Sequence, residues 1–128
     1  MLNSRKLGVL TEEKAKEIFF NKGYWVYQCP SNIKGQPADL IIAKDNKITL
    51  VEVKHCKNNR FTLNRIEENQ LSTYKYFKTK GNTNHKILVK FKDGIYLIDF
   101  YHIYSCINQG YKSLTVDTFE ELGERLDE

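Results

Sequence analysis

Asp39, Glu52 and Lys54 interrupt two stretches, PADLIIA and ITLVEVK, that would otherwise suit a buried sheet. Side chains alternate along a strand, so Ile48, Leu50, Glu52 and Lys54 share one face and Thr49, Val51 and Val53 the other. Asp39 stands at the start of the preceding strand. If Lys44-Asp45-Asn46-Lys47 turns the two strands into an antiparallel hairpin, the start of one abuts the end of the next, and the three charged groups converge. Two carboxylates a few ångströms apart repel, more so when buried. A divalent cation removes that conflict. Hard oxygen ligands, with room for water and a phosphate, suit Mg²⁺ better than zinc. A lysine beside such an ion can hold or polarise water and balance charge on phosphorus. The chemistry implied is metal-assisted phosphodiester hydrolysis. The plainer alternative is a surface aspartate near a strand end and an ordinary Glu–Lys pair.

The elements that must position these groups are legible from local pattern. Thr11 is a natural N-cap followed by acids, opening a helix that carries Ala15, Ile18 and Phe19 inward and ends near Gly23. Residues 1–10 read as a flexible basic N-terminus. Tyr24–Tyr27 is β-prone, Ser31–Gln36 a polar loop, and strands follow over Ala38–Ala43 and Ile48–Lys54. After a basic connection, Leu63, Ile66, Tyr74 and Phe77 predict a helix from Leu63 to Lys78, stopped by Gly81-Asn82. His85–Phe91 and Ile95–Phe100 flank the turn Lys92-Asp93-Gly94 as a hairpin. Tyr101–Asn108 is open to either reading. An acidic helix over residues 117–128 closes the chain.

At 128 residues, 41% hydrophobic and 28% charged, the sequence suits one globular domain over residues 1–128. It has no apolar run of membrane-spanning length and no secretory leader pattern. Cys29, Cys56 and Cys106 lack disulfide or zinc spacing and read as reduced thiols of a cytoplasmic protein. The net charge of +4 is unevenly spread. Residues 117–128 hold six acids and one arginine, which leaves residues 1–116 with 19 basic and 10 acidic side chains, a net of +9. A body that basic attracts a polyanion, nucleic acid first among them.

Pro37-Ala38-Asp39, followed thirteen positions later by Glu52-Val53-Lys54, resembles the PD-(D/E)xK nuclease signature on its usual two strands. Ala38 is an insertion relative to the signature. The resemblance implies an α/β (α+β) restriction-endonuclease-like fold, a central mixed sheet flanked by helices in the order αβββαββ plus a C-terminal helix. It also implies that Asp39 and Glu52 bind the metal with the Val53 carbonyl, and that Lys54 serves catalysis. In this superfamily the first helix often supplies a glutamate. At 100° per residue Glu12 falls beside Ala15 and Phe19, whereas Glu13 and Glu17 point away, so Glu12 is the candidate; an acid favouring the helix dipole explains it nearly as well. Gln70, between Ile66, Tyr74 and Phe77, is an amide that must bond either to backbone or into the site. The run Phe61-Thr62-Leu63, Ile66, Gln70 resembles Holliday-junction resolvases of the RecU type, alongside small phage and archaeal resolvases.

The reading that follows is a Mg²⁺-dependent endodeoxyribonuclease, with Mn²⁺ able to substitute and one or two ions per site. It would resolve four-way DNA junctions as a homodimer in a bacterial or phage-infected cell, without membrane or small-molecule cofactor. Ser31, Lys34, Lys57, Arg60 and Arg65 are the candidate DNA contacts, on phosphates rather than bases. Rival readings are a nuclease of the same family acting on linear or flapped DNA in repair or defence, and a catalytically silent DNA-binding module.

Overall fold

The structure, a computed structural model, describes residues 3–31 and 35–127. Helix α1 runs Ser4–Asn21, and its N-cap is Asn3, whose side chain accepts the Lys6 N–H at 2.9 Å. Residues 4–10 are therefore helical, not a flexible arm. Thr11 has the chemistry of a cap but lies in the helix interior, where its hydroxyl donates to the Leu7 carbonyl at 2.8 Å. Asn3 takes the role because it caps just as well and allows two more turns of helix to form. The other end is where the sequence puts it: Lys22 caps and Gly23 takes φ 89°, the left-handed conformation glycine adopts without steric cost.

Strands β1 (Trp25–Gln28), β2 (Leu40–Lys44) and β3 (Lys47–His55) form an antiparallel meander. Asp45 and Asn46 join β2 to β3 with φ 52° and 68°, the conformation that a two-residue hairpin loop needs and that Asp and Asn tolerate. Strand β4 (Arg60–Thr62) and a 3-10 turn (Leu63–Arg65) precede helix α2 (Glu68–Thr79). The expected single helix from Leu63 is thus broken at Ile66–Glu67. Apolar spacing alone could not show this, because Leu63 and Ile66 are buried in either arrangement.

Strand β5 (His85–Phe91) lies parallel to β3 and forms a hairpin with β6 (Gly94–Asp99). Helix α3 (Phe100–Asn108) occupies the stretch the sequence left open. Strand β7 (Ser113–Thr115) pairs with β4, helix α4 (Val116–Leu122) follows, and β8 (Glu124–Arg125) adds to β6. The acidic segment is therefore a seven-residue helix and an edge strand, not one helix to the end. Leu126 explains the change: it is buried, and its N–H donates to the Ile95 carbonyl at 2.8 Å. Asp127 accepts the Ile95 N–H and an Arg125 N–H, bonds that outweigh its partial burial and hold its carboxyl below the usual range.

The mixed six-stranded sheet, in the order β1-β2-β3-β5-β6-β8, carries a core on each face. Ala15 and Phe19 of α1 pack on Leu40, Ile42, Val51, Leu88 and Leu97. On the opposite face α2, α3, α4 and the β4–β7 pair cover Ile87, Val89, Phe91, Tyr96 and Ile98. Among the described residues no helix is long and apolar enough to cross a membrane.

His85, 1% exposed, stands in this second core among the rings of Tyr74, Phe77 and Phe100, and neither ring nitrogen has a partner. Burial lowers its pKa from 6.5 to about 4. The unfolded chain takes up the proton first, so this group's stability is complete above pH 6.5 and lost as pH falls toward 4. The expected loss on full titration is about 3 kcal/mol. Urea midpoints compared at pH 7 and pH 4.5 should show the step in the wild type and a smaller one in His85→Phe. Equal steps in both would remove His85 as its source.

Candidate active site

The strand registers align three rows of side chains on the face that carries Glu52. Trp25, Ala43 and Ile48 form the first row, and Tyr27, Ile41, Leu50 and His85 the second. The third brings Asp39 abreast of Glu52 and Ile87, with Cys29 beside Asp39 through a 2.9 Å bond from its N–H to the Asp39 carbonyl. The spacing in the sequence therefore does what a hairpin requires of it: the two carboxylates meet.

How they meet depends on unequal strand length. The β2–β3 ladder ends with Asp39 N–H donating to the Val51 carbonyl, while β3 continues to His55. Val53 is left facing a notch where β2 has no strand residue. The Asp39 side chain fills part of it, accepting the Val53 N–H at 2.7 Å through Oδ2 and the Gln36 amide at 3.2 Å through Oδ1. A strand residue's N–H and C=O point to the same edge, so the Val53 carbonyl faces the same notch.

Glu52 is 1% exposed. Its pKa is driven far above the usual carboxylate range by burial first, then by the Asp39 charge, and also by a hydrogen bond between the two carboxyls; Lys54 opposes the shift. Gln70 Nε2 donates to Glu52 Oε2 at 2.8 Å, and its Oε1 accepts the Glu67 N–H at 2.9 Å. The Gln70 amide thus meets both demands the sequence posed for it, capping α2 and reaching the carboxylate. Lys54, on the same face two residues on, donates from Nζ to the Arg65 carbonyl at 3.1 Å. Its charge is held by a neutral acceptor beside the acids.

Glu12 is half-buried and Glu13 and Glu17 are exposed, as the helical angle predicts. Burial, followed by the Asp39 charge, raises the Glu12 pKa, and a bond from Gln28 Nε2 at 3.4 Å counters it. Lys16 donates to Gln28 Oε1 at 3.0 Å, which orients that amide. Gln28, Gln36 and Cys29 were not singled out from the sequence. Nothing local marks them, because their partners lie on other elements or across a loop. Burial, then Asp39 and Glu52, raise the Cys29 thiol pKa, which keeps it a neutral neighbour of the pair.

Among the described residues no group of three or more His, Cys, Asp or Glu could hold a metal ion by itself. The donor set in the notch is two carboxylates and one carbonyl. Such a set fits Mg²⁺, which keeps several waters and takes one or two carboxylates with substrate phosphate. Burial and the Asp39 charge favour a protonated Glu52, so a cation bound there would displace a proton.

Of the candidate DNA contacts, Lys57, Arg60 and Arg65 line one groove together with Lys54. Arg60 Nη1 donates to Ser113 Oγ at 2.6 Å, and Arg65 Nη1 to the His55 carbonyl at 2.8 Å. Ser31 is exposed, two residues beyond Cys29, and is not among the groove's lining residues. Lys34 lies outside the described residues.

No protein-family model matches the chain, and no curated protein sequence matches it. Among solved structures it is similar to the 1.6 Å structure of Hjc, a Holliday junction resolvase from the archaeal hyperthermophile Archaeoglobus fulgidus. The TM-score is 0.65 at 12% identity, over 93% of this chain and 91% of that one. At that identity the likeness is one of architecture: an α/β fold with a mixed central sheet flanked by helices, as in a junction resolvase.

Proposed function

We propose that this chain is a Mg²⁺-dependent endodeoxyribonuclease acting on four-way DNA junctions. The observation that carries the reading is the pairing of half-buried Asp39 with buried Glu52, open at a sheet notch and flanked by Lys54, within a resolvase-like fold. Asp39, Glu52 and the Val53 carbonyl would hold the ion. Magnesium bound there would supply Lewis acidity toward a phosphate oxygen and lower the pKa of water. Gln70 fixes the rotamer of Glu52, and Gln36 with the Val53 N–H fixes Asp39, so the donors are set before substrate arrives. Lys54 orients the attacking water and offsets negative charge that grows on the phosphoryl group. Glu12, its pKa raised, stands beside Asp39 as a group able to hold a proton close to the reacting centre.

Symmetric cutting of a junction calls for two sites, and a homodimer belongs to the proposal. The exposed Trp25 and Tyr27 rings, stacked at 6.1 Å, lie with exposed Ile48 on one sheet face and form an apolar surface that association would cover. DNA recognition through phosphates rests on the cations around Lys54.

Labelled four-way junction, linear duplex and flapped duplex incubated with Mg²⁺ test the reading. Paired nicks in the junction, with duplex spared, are the expected result. Equal cutting of linear duplex would favour the broader nuclease, and binding without cutting the silent module. In EDTA, junction affinity should fall at least about tenfold between roughly 50 and 200 mM salt, and a flat response would contradict phosphate contact.

A further inference from the structure

The groove beside Lys54 has a volume of about 560 Å³, and its walls come from distant parts of the chain. Ser4 and Gly8 of α1 form one side, and Lys57, Arg60 and Arg65 the other. Val53 and Lys54 line it too, which sets it next to the notch, since the Val53 N–H donates to Asp39. The His55 ring, bonded through Nδ1 to the Thr11 hydroxyl at 3.0 Å, ties α1 to this end of β3.

Two features of the groove are not explained by the fold. The first is charge: none of its lining residues is acidic, and among the described residues none of Lys54, Lys57, Arg60 and Arg65 forms an ion pair. Arg60 and Arg65 are instead anchored by a neutral hydroxyl and a neutral carbonyl, with Arg65 also stacked over the Phe61 ring at 5.6 Å. Lys54 is offset by the acids beside it, but Lys57, Arg60 and Arg65 face the groove without a carboxylate partner and favour an anion in the space between them. The second is Gly8, a glycine within a helix, which is less stable there than alanine would be. A Cβ at this position would meet nothing within 4 Å, so no protein atom requires its absence. The space belongs to the groove.

We propose that this groove seats a backbone phosphate next to the one at the Asp39–Glu52 pair, guiding the cut strand between the first half of α1 and β4. The bare Gly8 backbone lets the strand come close while the Lys57, Arg60 and Arg65 side chains close from the opposite wall. The inference rests on the nuclease reading for the identity of the anion, but its test needs no cleavage.

Anisotropy of a fluorescein-labelled four-way junction, in EDTA, compares wild type with Gly8→Glu, Gly8→Gln and Asn21→Glu. Asn21 is exposed on the same helix, about 20 Å from Gly8 along its axis. Gly8→Glu should weaken binding at least about tenfold and lower the salt slope by about one. Gly8→Gln, of equal bulk, should lose at least threefold less than Gly8→Glu, and Asn21→Glu should stay within about threefold of wild type. Both Gly8 variants should melt at or above the wild-type temperature, because each introduced residue is a better helix former than glycine. Wild-type affinity in Gly8→Glu overturns the proposal, as does equal loss in Gly8→Glu and Gly8→Gln, or a matching loss in Asn21→Glu. A wild-type chain that does not bind the junction overturns it too. Binding without nicking in Mg²⁺ would remove the nuclease reading and leave the groove in place.

Discussion

Glu52→Gln is expected to reduce Mg²⁺-dependent cleavage on the order of a thousandfold, about 4 kcal/mol of transition-state stabilisation, while making the metal-free protein more stable. The two effects have one origin. Glu52 is buried beside Asp39, and its folded-state pKa is raised far above the unfolded value of 4.5. For a carboxyl shifted upward, stability is fully present below the unfolded pKa and is lost as pH rises toward the folded one. At neutral pH the metal-free wild type must therefore take up a proton on folding, or keep two negative charges in contact. Glutamine has the same shape, keeps an oxygen to accept from Gln70, and offers its amide to Asp39, so the penalty of about 2 kcal/mol should disappear. It also removes a charged oxygen from the proposed ligand set, so added Mg²⁺ should raise the melting temperature of the wild type but not of the variant. Proton release on Mg²⁺ binding should follow the same pattern, and wild-type affinity should weaken as pH falls. A Glu52→Gln protein that cuts at the wild-type rate would take this carboxylate out of the mechanism. One that is less stable without metal would contradict the electrostatic account.

Lys54→Met should lower the cleavage rate by roughly a hundredfold to a thousandfold without weakening Mg²⁺ binding. Methionine keeps most of the apolar stem and loses the ammonium group. That group donates to the Arg65 carbonyl, which any neighbouring water can replace, so the fold should hold. Its positive charge lowers the Glu52 pKa and repels a cation in the notch. Removing it should leave metal affinity equal or higher, even as the phosphoryl charge and the attacking water lose the partner proposed for them. This split, with metal binding intact and turnover lost, separates Lys54 from a residue that only holds the ion. The checking measurements are a Mg²⁺ titration of the melting temperature and single-turnover cleavage at saturating Mg²⁺. Parallel loss of both would assign Lys54 to the metal site itself.

The meeting of Asp39 with Glu52 was legible because it depends only on short-range rules. Alternation along a strand put Glu52 and Lys54 on one face, and Asp45-Asn46 supplied the two positive φ angles of a tight hairpin. A few residues of sequence contain all of that information, and the same holds for Glu12, whose inward direction follows from helical spacing. The start of α1 was harder, because Asn3 and Thr11 are equally good caps by composition and only the burial of Thr11 against His55 distinguishes them. The closing strand β8 was missed for a related reason: a two-residue edge strand has no periodicity, and its docking depends on Leu126 finding the core beneath Ile95.

By itself, then, the sequence determined which side chains share a face and where the chain reverses, since those follow from bond geometry within a few neighbouring residues. Only the tertiary structure decided that β2 begins late enough to open a notch at Val53. The same is true of the support that Gln28, Gln36 and Gln70 give the acids, and of the basic groove past Gly8. Each of these depends on groups that the fold brings together from different elements or loops, and on how much water their packing excludes. Solvation and long-range contact are properties of the folded shape, which no local pattern of residues encodes.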